Sequence, residues 1–249
     1  MEKQTKAFVL DLDGVVYRGS EAVPNASKRI AALREKGRVL FLTNNSTRTR
    51  AEYVEKLLRF GIPAQVEDVV TSAYIAANYI RERSPEAKVY VIGEEGLKRE
   101  LEARGVKTGD EGCTVVLVGL DREFDYRKLT LAADLIRRGA EFIATNTDAT
   151  LITEKGLLPG AGAMVAAVRA ATGKEPVVMG KPSDIAADAV LKILGVEPRE
   201  VLLIGDRLET DIAMGKKWGM RTALVLTGAT SQEELNRSTL KPDFVLESL

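Results

Sequence analysis

Short apolar runs alternate along this chain of 249 residues with amphipathic stretches that usually stop at a glycine. That alternation predicts an α/β fold with a parallel sheet, because parallel strands need a crossover, usually helical, between them. The strand-like runs fall at 8–12, 39–43, 66–71, 89–93, 115–119, 142–145, 177–179, 201–205 and 222–226, with a last short edge at 245–246. Gly37, Gly61, Gly105, Gly139, Gly173, Gly195 and Gly219 read as helix ends, since glycine takes the left-handed conformation at little cost. In the helix over 51–60, the periodicity puts Ala51, Val54, Leu57 and Leu58 on one face.

Two polar stretches with a proline, 81–86 and 172–176, read as linkers. They bracket a segment with its own strands and helices, long enough for a small domain. The expected organisation is a core from 1–82 and 175–249, with a smaller α/β domain inserted at 83–174.

Lys and Arg number 36 and Asp and Glu number 36, so the chain has no basic surplus for nucleic acid or a membrane surface. Neither a secretory h-region at the N-terminus nor a membrane-length apolar stretch is present, so a cytoplasmic location is expected. The single cysteine, Cys113, has no internal partner for a disulfide and reads as a packing residue. There is no histidine. Ser-His-Asp, Cys-His and His-zinc chemistry are therefore excluded, and acid/base work falls to carboxylates, Lys or Tyr.

Four clusters stand at or near the ends of strands read as core. They are Asp11 with Asp13, Thr43-Asn44-Asn45-Ser46, Gly180-Lys181-Pro182, and Asp206 with Asp211. Asp11 and Asp13 point to one side, because strand side chains alternate. Two such anions need a cation, a shared proton or both. Parallel strands gather their C-terminal ends, where ligands bind in such sheets. The joint inventory is carboxylates for a hard cation such as Mg²⁺, and Lys and Thr donors for phosphate oxygens. It reads as metal-assisted phosphoryl transfer.

With these four motifs in this order, the chain resembles the haloacid dehalogenase superfamily of phosphohydrolases. It is most similar to the branch of 4-nitrophenyl phosphatases, phosphoglycolate phosphatases and NagD. The resemblance implies a Rossmann-like parallel-sheet core with an inserted α/β cap between the second and third motifs. It also implies the roles. Asp11 is the nucleophile, and Asp13 is the acid that protonates the leaving oxygen and then the base that activates water. Thr43 and the backbone near Gly14 and Asn44, with Asn45, bind the phosphoryl group. Lys181 binds the phosphoryl oxygens and offsets the charge of Asp11. Mg²⁺ is held by Asp11, the Asp13 carbonyl and Asp206, with Asp211 ordering its water or orienting Lys181. Asn146 and Asp148 face the substrate from the cap.

Relatives that couple phosphoryl transfer to ion pumping carry threonine where this chain has Asp13, and mutases place a helical cap earlier. A hydrolase of small phosphate esters, with 4-nitrophenyl phosphate as surrogate, is the expectation. A non-catalytic phosphometabolite sensor and a phosphotransferase to a non-water acceptor are the alternatives. Dimers among relatives make a homodimer the expected assembly.

Plainer readings exist for each feature. Asp11 to Gly14 could form a turn, 43–46 could cap the next helix, Asn146 could make an Asx turn, and Asp211 could favour a helix N-terminus. Pro159-Gly160-Ala161-Gly162 reads as the turn that starts a helix. Lys216 and Lys217 read as a solvated helix face, and Trp218 as packing.

Overall fold

Ala7–Leu10 (β1) is apolar and buried at every position, as a strand covered on both faces must be. In the computed structural model, which describes residues 5–153 and 156–249, this strand sits inside a six-stranded sheet. The reading of the extreme N-terminus over 1–4 lies outside the described residues. The sheet order is β15-β14-β13-β1-β4-β5. Its other members are Arg38–Thr43 (β4), Val69–Thr71 (β5), Val201–Gly205 (β13), Arg221–Val225 (β14) and Phe244–Leu246 (β15). Every pairing is parallel.

A second parallel sheet has the order β12-β9-β8-β6-β7. It comprises Lys88–Ile92 (β6), Lys107–Thr108 (β7), Val115–Val118 (β8), Glu141–Ala144 (β9) and Val177–Val178 (β12). Two hairpins complete the strands: Tyr17–Arg18 (β2) with Glu21–Ala22 (β3), and Thr150–Thr153 (β10) with Gly156–Pro159 (β11). The helices are Ala26–Arg34 (α1), Arg50–Arg59 (α2), Ser72–Arg83 (α3), Glu95–Ala103 (α4), Tyr126–Arg137 (α5), Ala161–Thr172 (α6), Asp184–Leu194 (α7), Ala213–Trp218 (α8) and Gln232–Arg237 (α9).

Packing arranges these elements in layers. Ile30 of α1 and Tyr53 and Leu57 of α2 cover one face of the first sheet, against Phe8, Leu10 and Phe41. On its other face, Val9, Leu40 and Leu42 pack with Ala73, Ala76 and Ile80 of α3 and Ala186, Ala187 and Val190 of α7. The same cluster continues into Val89, Leu117 and Ile143 of the second sheet. Ala132 and Ile136 of α5 and Val165 and Val168 of α6 close the far side. Helices α3 and α7 are therefore shared between the two sheets.

The layout differs from the sequence reading in definite places. Val177–Val178 hydrogen-bond to Ile143–Ala144, so the strand before Gly180-Lys181 belongs to the second sheet and not to the six-stranded one. Residues 66–68 form a 3-10 turn before β5. Leu58 is exposed, and the buried face of α2 is Tyr53 and Leu57. Gly37 has no left-handed conformation; a Cβ there would meet the Lys6 carbonyl oxygen at 2.3 Å. Gly160 does start a helix, and its missing Cβ admits the Asp148 carbonyl, which would stand 2.3 Å away. Lys216 and Lys217 pair at the surface with Asp243 and Asp184, and the Trp218 indole N–H donates to Asp184. Cys113 is buried. No helix among the described residues is long and apolar enough to cross a membrane.

Candidate active site

The C-terminal ends of β1, β4 and β13 meet at one cavity, lined by Asp11, Asp13, Thr43, Lys181 and Asp206 among others. Register explains the convergence. Leu10 pairs with both Phe41 and Ile204, so the chain leaves three adjacent strands at nearly one level. Lys181 arrives from the other side, just beyond β12.

The Lys181 ammonium is the hub. Its Nζ donates to Asp11 Oδ1 at 2.8 Å, to Asp211 Oδ1 at 2.6 Å and to the Leu42 carbonyl at 3.3 Å. Burial opposes its charge, yet the Asp11 and Asp211 carboxylates more than offset this and hold the ammonium above the usual lysine range. The remaining oxygen of Asp211 accepts from the Arg207 N–H at 3.2 Å and the Thr210 hydroxyl at 3.4 Å. Thr210 and Asp211 lie on a π-helical turn, Leu208–Ile212, between β13 and α8. Such widened turns recur at functional sites.

Asp206 follows β13 directly. Its Oδ2 accepts from the Ala229 N–H at 2.7 Å, and its carbonyl accepts from Thr230 N. A Cβ on Gly14 would lie 2.4 Å from this carboxylate, and one on Gly228 only 1.9 Å from it. Gly14 also has φ +87° and commits its N–H to the Tyr17 carbonyl. Its own N–H is thereby engaged within the turn, and its missing Cβ makes room for Asp206.

One oxygen each of Asp11, Asp206 and Asp211 lies within 4.8 Å of the others, all buried. Burial raises the pKa of each; repulsion from Asp13 adds to it at Asp11, and repulsion from Asp11 adds to it at Asp211 and, with Asp211, at Asp206, where the rise is greatest. One ammonium does not balance three such anions. Hard carboxylate oxygens with surplus charge suit Mg²⁺, so the donor set fits that ion. Asp13 stands apart from this cluster. Burial raises its pKa, opposed by Lys56 first, and the Tyr17 hydroxyl reaches its Oδ2 at 3.4 Å.

The second motif does not cap a helix. The cap of α2 is Thr49, in a reciprocal box with Glu52. Thr43 is buried in the cavity wall, its Oγ1 accepting from Asn45 N at 3.1 Å. Asn45 turns the chain by accepting from Thr47 N. Asn44 is a clamp. Its Oδ1 accepts from Lys181 N at 2.8 Å, while its Nδ2 donates to the Lys181 carbonyl at 3.0 Å and to both Asp148 oxygens. Asn146 Nδ2 donates to the Asn44 carbonyl at 2.7 Å, and Asn146 Oδ1 accepts from Asp148 N in an Asx turn. Asn146 and Asp148 thus line the cavity, but their polar atoms fix Asn44, and through it Lys181.

The cavity wall holds further residues to which the sequence alone assigns no role. Ser46 has a buried hydroxyl with no hydrogen-bond partner among the described residues. Arg207, Thr210, Leu120 and Leu151 also face the cavity. The Arg207 and Thr210 positions could have been found from their place beside Asp206 and Asp211. Leu120 and Leu151 carry no such signal.

Comparisons with known proteins agree with this geometry. Residues 8–107 match the family described as haloacid dehalogenase-like hydrolase, and residues 178–249 match a HAD-hydrolase-like family. The chain is 40% identical to the 5'-nucleotidase YutF of Bacillus subtilis, over 99% of this chain and 97% of that protein. The p-nitrophenyl phosphatase of Archaeoglobus fulgidus superposes with a TM-score of 0.94 at 36% identity, covering 99% of this chain and 97% of its own. A glycerol phosphate phosphatase from Mycobacterium tuberculosis, solved in complex with magnesium, superposes with a TM-score of 0.90 at 36% identity, covering 98% and 76%.

By fold and site the molecule is a hydrolase with a parallel-sheet α/β core and a carboxylate-rich centre. The chain belongs to the haloacid dehalogenase-like hydrolases, among the NagD-like phosphatases.

Proposed function

We propose that this phosphatase hydrolyses small phosphate monoesters with Mg²⁺ through a phosphoryl group carried on Asp11. The observation that carries the reading is Lys181, held between Asp11 and Asp211 beside the Asp206 carboxylate.

Asp11, Asp206 and the Asp13 carbonyl would hold the metal, with Asp211 behind them. Magnesium would supply the positive charge that keeps Asp11 ionised and lets it meet an anionic ester. An Asp11 oxygen attacks phosphorus and the ester P–O bond breaks. Asp13, whose pKa burial raises, gives its proton to the leaving oxygen. Water then attacks phosphorus, Asp13 takes its proton, and the bond to Asp11 breaks to release phosphate. Lys181, Thr43 and the unpartnered Ser46 hydroxyl donate to the phosphoryl oxygens. The intact set of Asp11, Asp13 and Lys181 disfavours a sensor, which has no use for Asp13. The same set serves transfer to another acceptor, and product analysis with added alcohols separates that from hydrolysis.

Metal binding carries a sign. Asp11, Asp206 and Asp211 have raised pKa values in the fold. Without metal, each adds stability fully below its unfolded pKa, near 3.9, and that contribution is lost as pH rises through the raised folded value. The metal-free protein is therefore penalised near neutral pH. At a hundredfold excess over its Kd, Mg²⁺ is expected to add about 2.7 kcal/mol of stability, raising the Tm by roughly 5–10 °C. The rise should be larger at about pH 8 than at about pH 5. Calorimetry and 4-nitrophenyl phosphate turnover, each with Mg²⁺ and with EDTA, test this. Full turnover in EDTA would contradict it.

A further inference from the structure

The cavity around Lys181 is small, about 70 Å³. So little free space suits a phosphoryl group and not an ester's organic part. A wider cleft of about 650 Å³ adjoins it. The two share Asp13, Asn45 and Leu151. Because Asp13 is the group that protonates the leaving oxygen, the leaving group must lie on Asp13's side, in this cleft. The other adjoining hollow, beyond Thr150 and Arg207, has Glu209 and Glu234 in its wall and does not include Asp13.

The cleft is built with cations. Arg48, Lys56, Arg59 and Arg122 line it, with Glu52 and Glu94 as its other acids. Both glutamates are already engaged. Glu52 accepts from the Thr49 N–H and hydroxyl, and Glu94 makes a two-oxygen contact with Arg122 at 2.7 and 2.8 Å. Arg59 leans on Glu55. Arg48 has no ion pair among the described residues and is exposed to the cleft. Lys56 Nζ stands 3.4 Å from the centroid of the Tyr17 ring, whose hydroxyl reaches Asp13. Two cations thus flank the place where the leaving group departs.

We propose that Arg48 and Lys56 form an anion subsite that selects phosphate esters whose organic part carries a second negative charge, a carboxylate or another phosphate. This rests on the Asp11 and Asp13 assignments above. A guanidinium and an ammonium bind such a group by charge-assisted hydrogen bonds, each worth tenfold or more in affinity by their usual size.

The test is kcat/KM for matched alkyl phosphates ending in carboxylate, hydroxyl or ammonium, on two- and four-carbon chains. The carboxylate esters are expected to exceed the hydroxyl esters by about tenfold or more, and the ammonium esters to fall below both. A phosphate-ended ester in place of the carboxylate distinguishes the two anions. Arg48→Ala and Lys56→Gln should each shrink the carboxylate-to-hydroxyl ratio, chiefly through KM, and added salt should shrink it in the wild type. Equal kcat/KM for all three end groups in an active enzyme would overturn the subsite and leave the phosphatase mechanism standing. An undiminished ratio in both variants would also overturn it. No turnover of any ester, 4-nitrophenyl phosphate included, would overturn the mechanism and this inference with it.

Discussion

Asp11→Asn is expected to lower phosphate-ester turnover by about 10⁴-fold or more while the protein stays folded. The two halves of that expectation have separate causes. Turnover is lost because an amide is a poor nucleophile toward phosphorus. Folding survives because the amide oxygen can still accept the Lys181 hydrogen bond now made by Asp11 Oδ1 at 2.8 Å. The substitution also removes one of three crowded carboxylates. Metal-free Asp11→Asn should therefore melt no lower than the metal-free wild type, and should gain less from Mg²⁺. Steady-state assay with calorimetry on the same preparation checks both halves. A folded variant with wild-type turnover would exclude Asp11 as the nucleophile.

Lys181→Met is expected to cost far more stability. Lys181 is 2% exposed and holds Asp11 and Asp211 together. Methionine fills much of the space but leaves both buried carboxylates without their cation. Breaking a buried pair in this way costs about 3–5 kcal/mol, a fall in Tm of roughly 6–20 °C for a domain of this size. Turnover should vanish as well, since the charge that offsets Asp11 is gone. The loss should depend on pH in a definite direction. Without Lys181, the pKa values of Asp11 and Asp211 lie higher still, so the variant binds protons in the fold that the unfolded chain has released. Its stability deficit should shrink as pH falls toward about 4 and widen as pH rises through the raised values. Thermal melts of both proteins across that range are the check. A pH-independent deficit would mean the carboxylates are not what the lysine holds.

The legible part of this molecule was local. Runs such as 7–10 and 201–205 are continuous and apolar because helices cover both faces of their sheet. Asp11 and Asp206 could be placed because each directly follows such a run. Lys181 was found, but its strand was assigned to the wrong sheet. Two valines say nothing about whether they will pair with Ile143 or with a core neighbour. The short hairpins at 17–22 and 150–159 were missed, as two- to four-residue strands leave too little pattern. The α2 face set by Ala51, Val54, Leu57 and Leu58 leaves out Tyr53, the residue that packs beside Leu57.

The site's least legible feature was the Asn44 clamp. Its partners, Asp148 and Lys181, are 104 and 137 residues away in sequence. No spacing rule reaches that far, so the sequence shows Asn146 and Asp148 only as substrate-facing and Asn44 only through its backbone, whereas their side-chain polar atoms hold one another and Lys181. Gly14 carries a constraint that is hidden from the sequence in the same way. Its real constraint, the Asp206 carboxylate where a Cβ would be, exists only once β1 and β13 are paired.

The central claim is that the phosphoryl group passes through Asp11. The most direct measurement is an acid quench during turnover with Mg²⁺, followed by borohydride reduction and peptide mapping. The account predicts that Asp11 alone is recovered as homoserine, the reduction product of an aspartyl phosphate. A phosphoryl group mapped to any other side chain would contradict it.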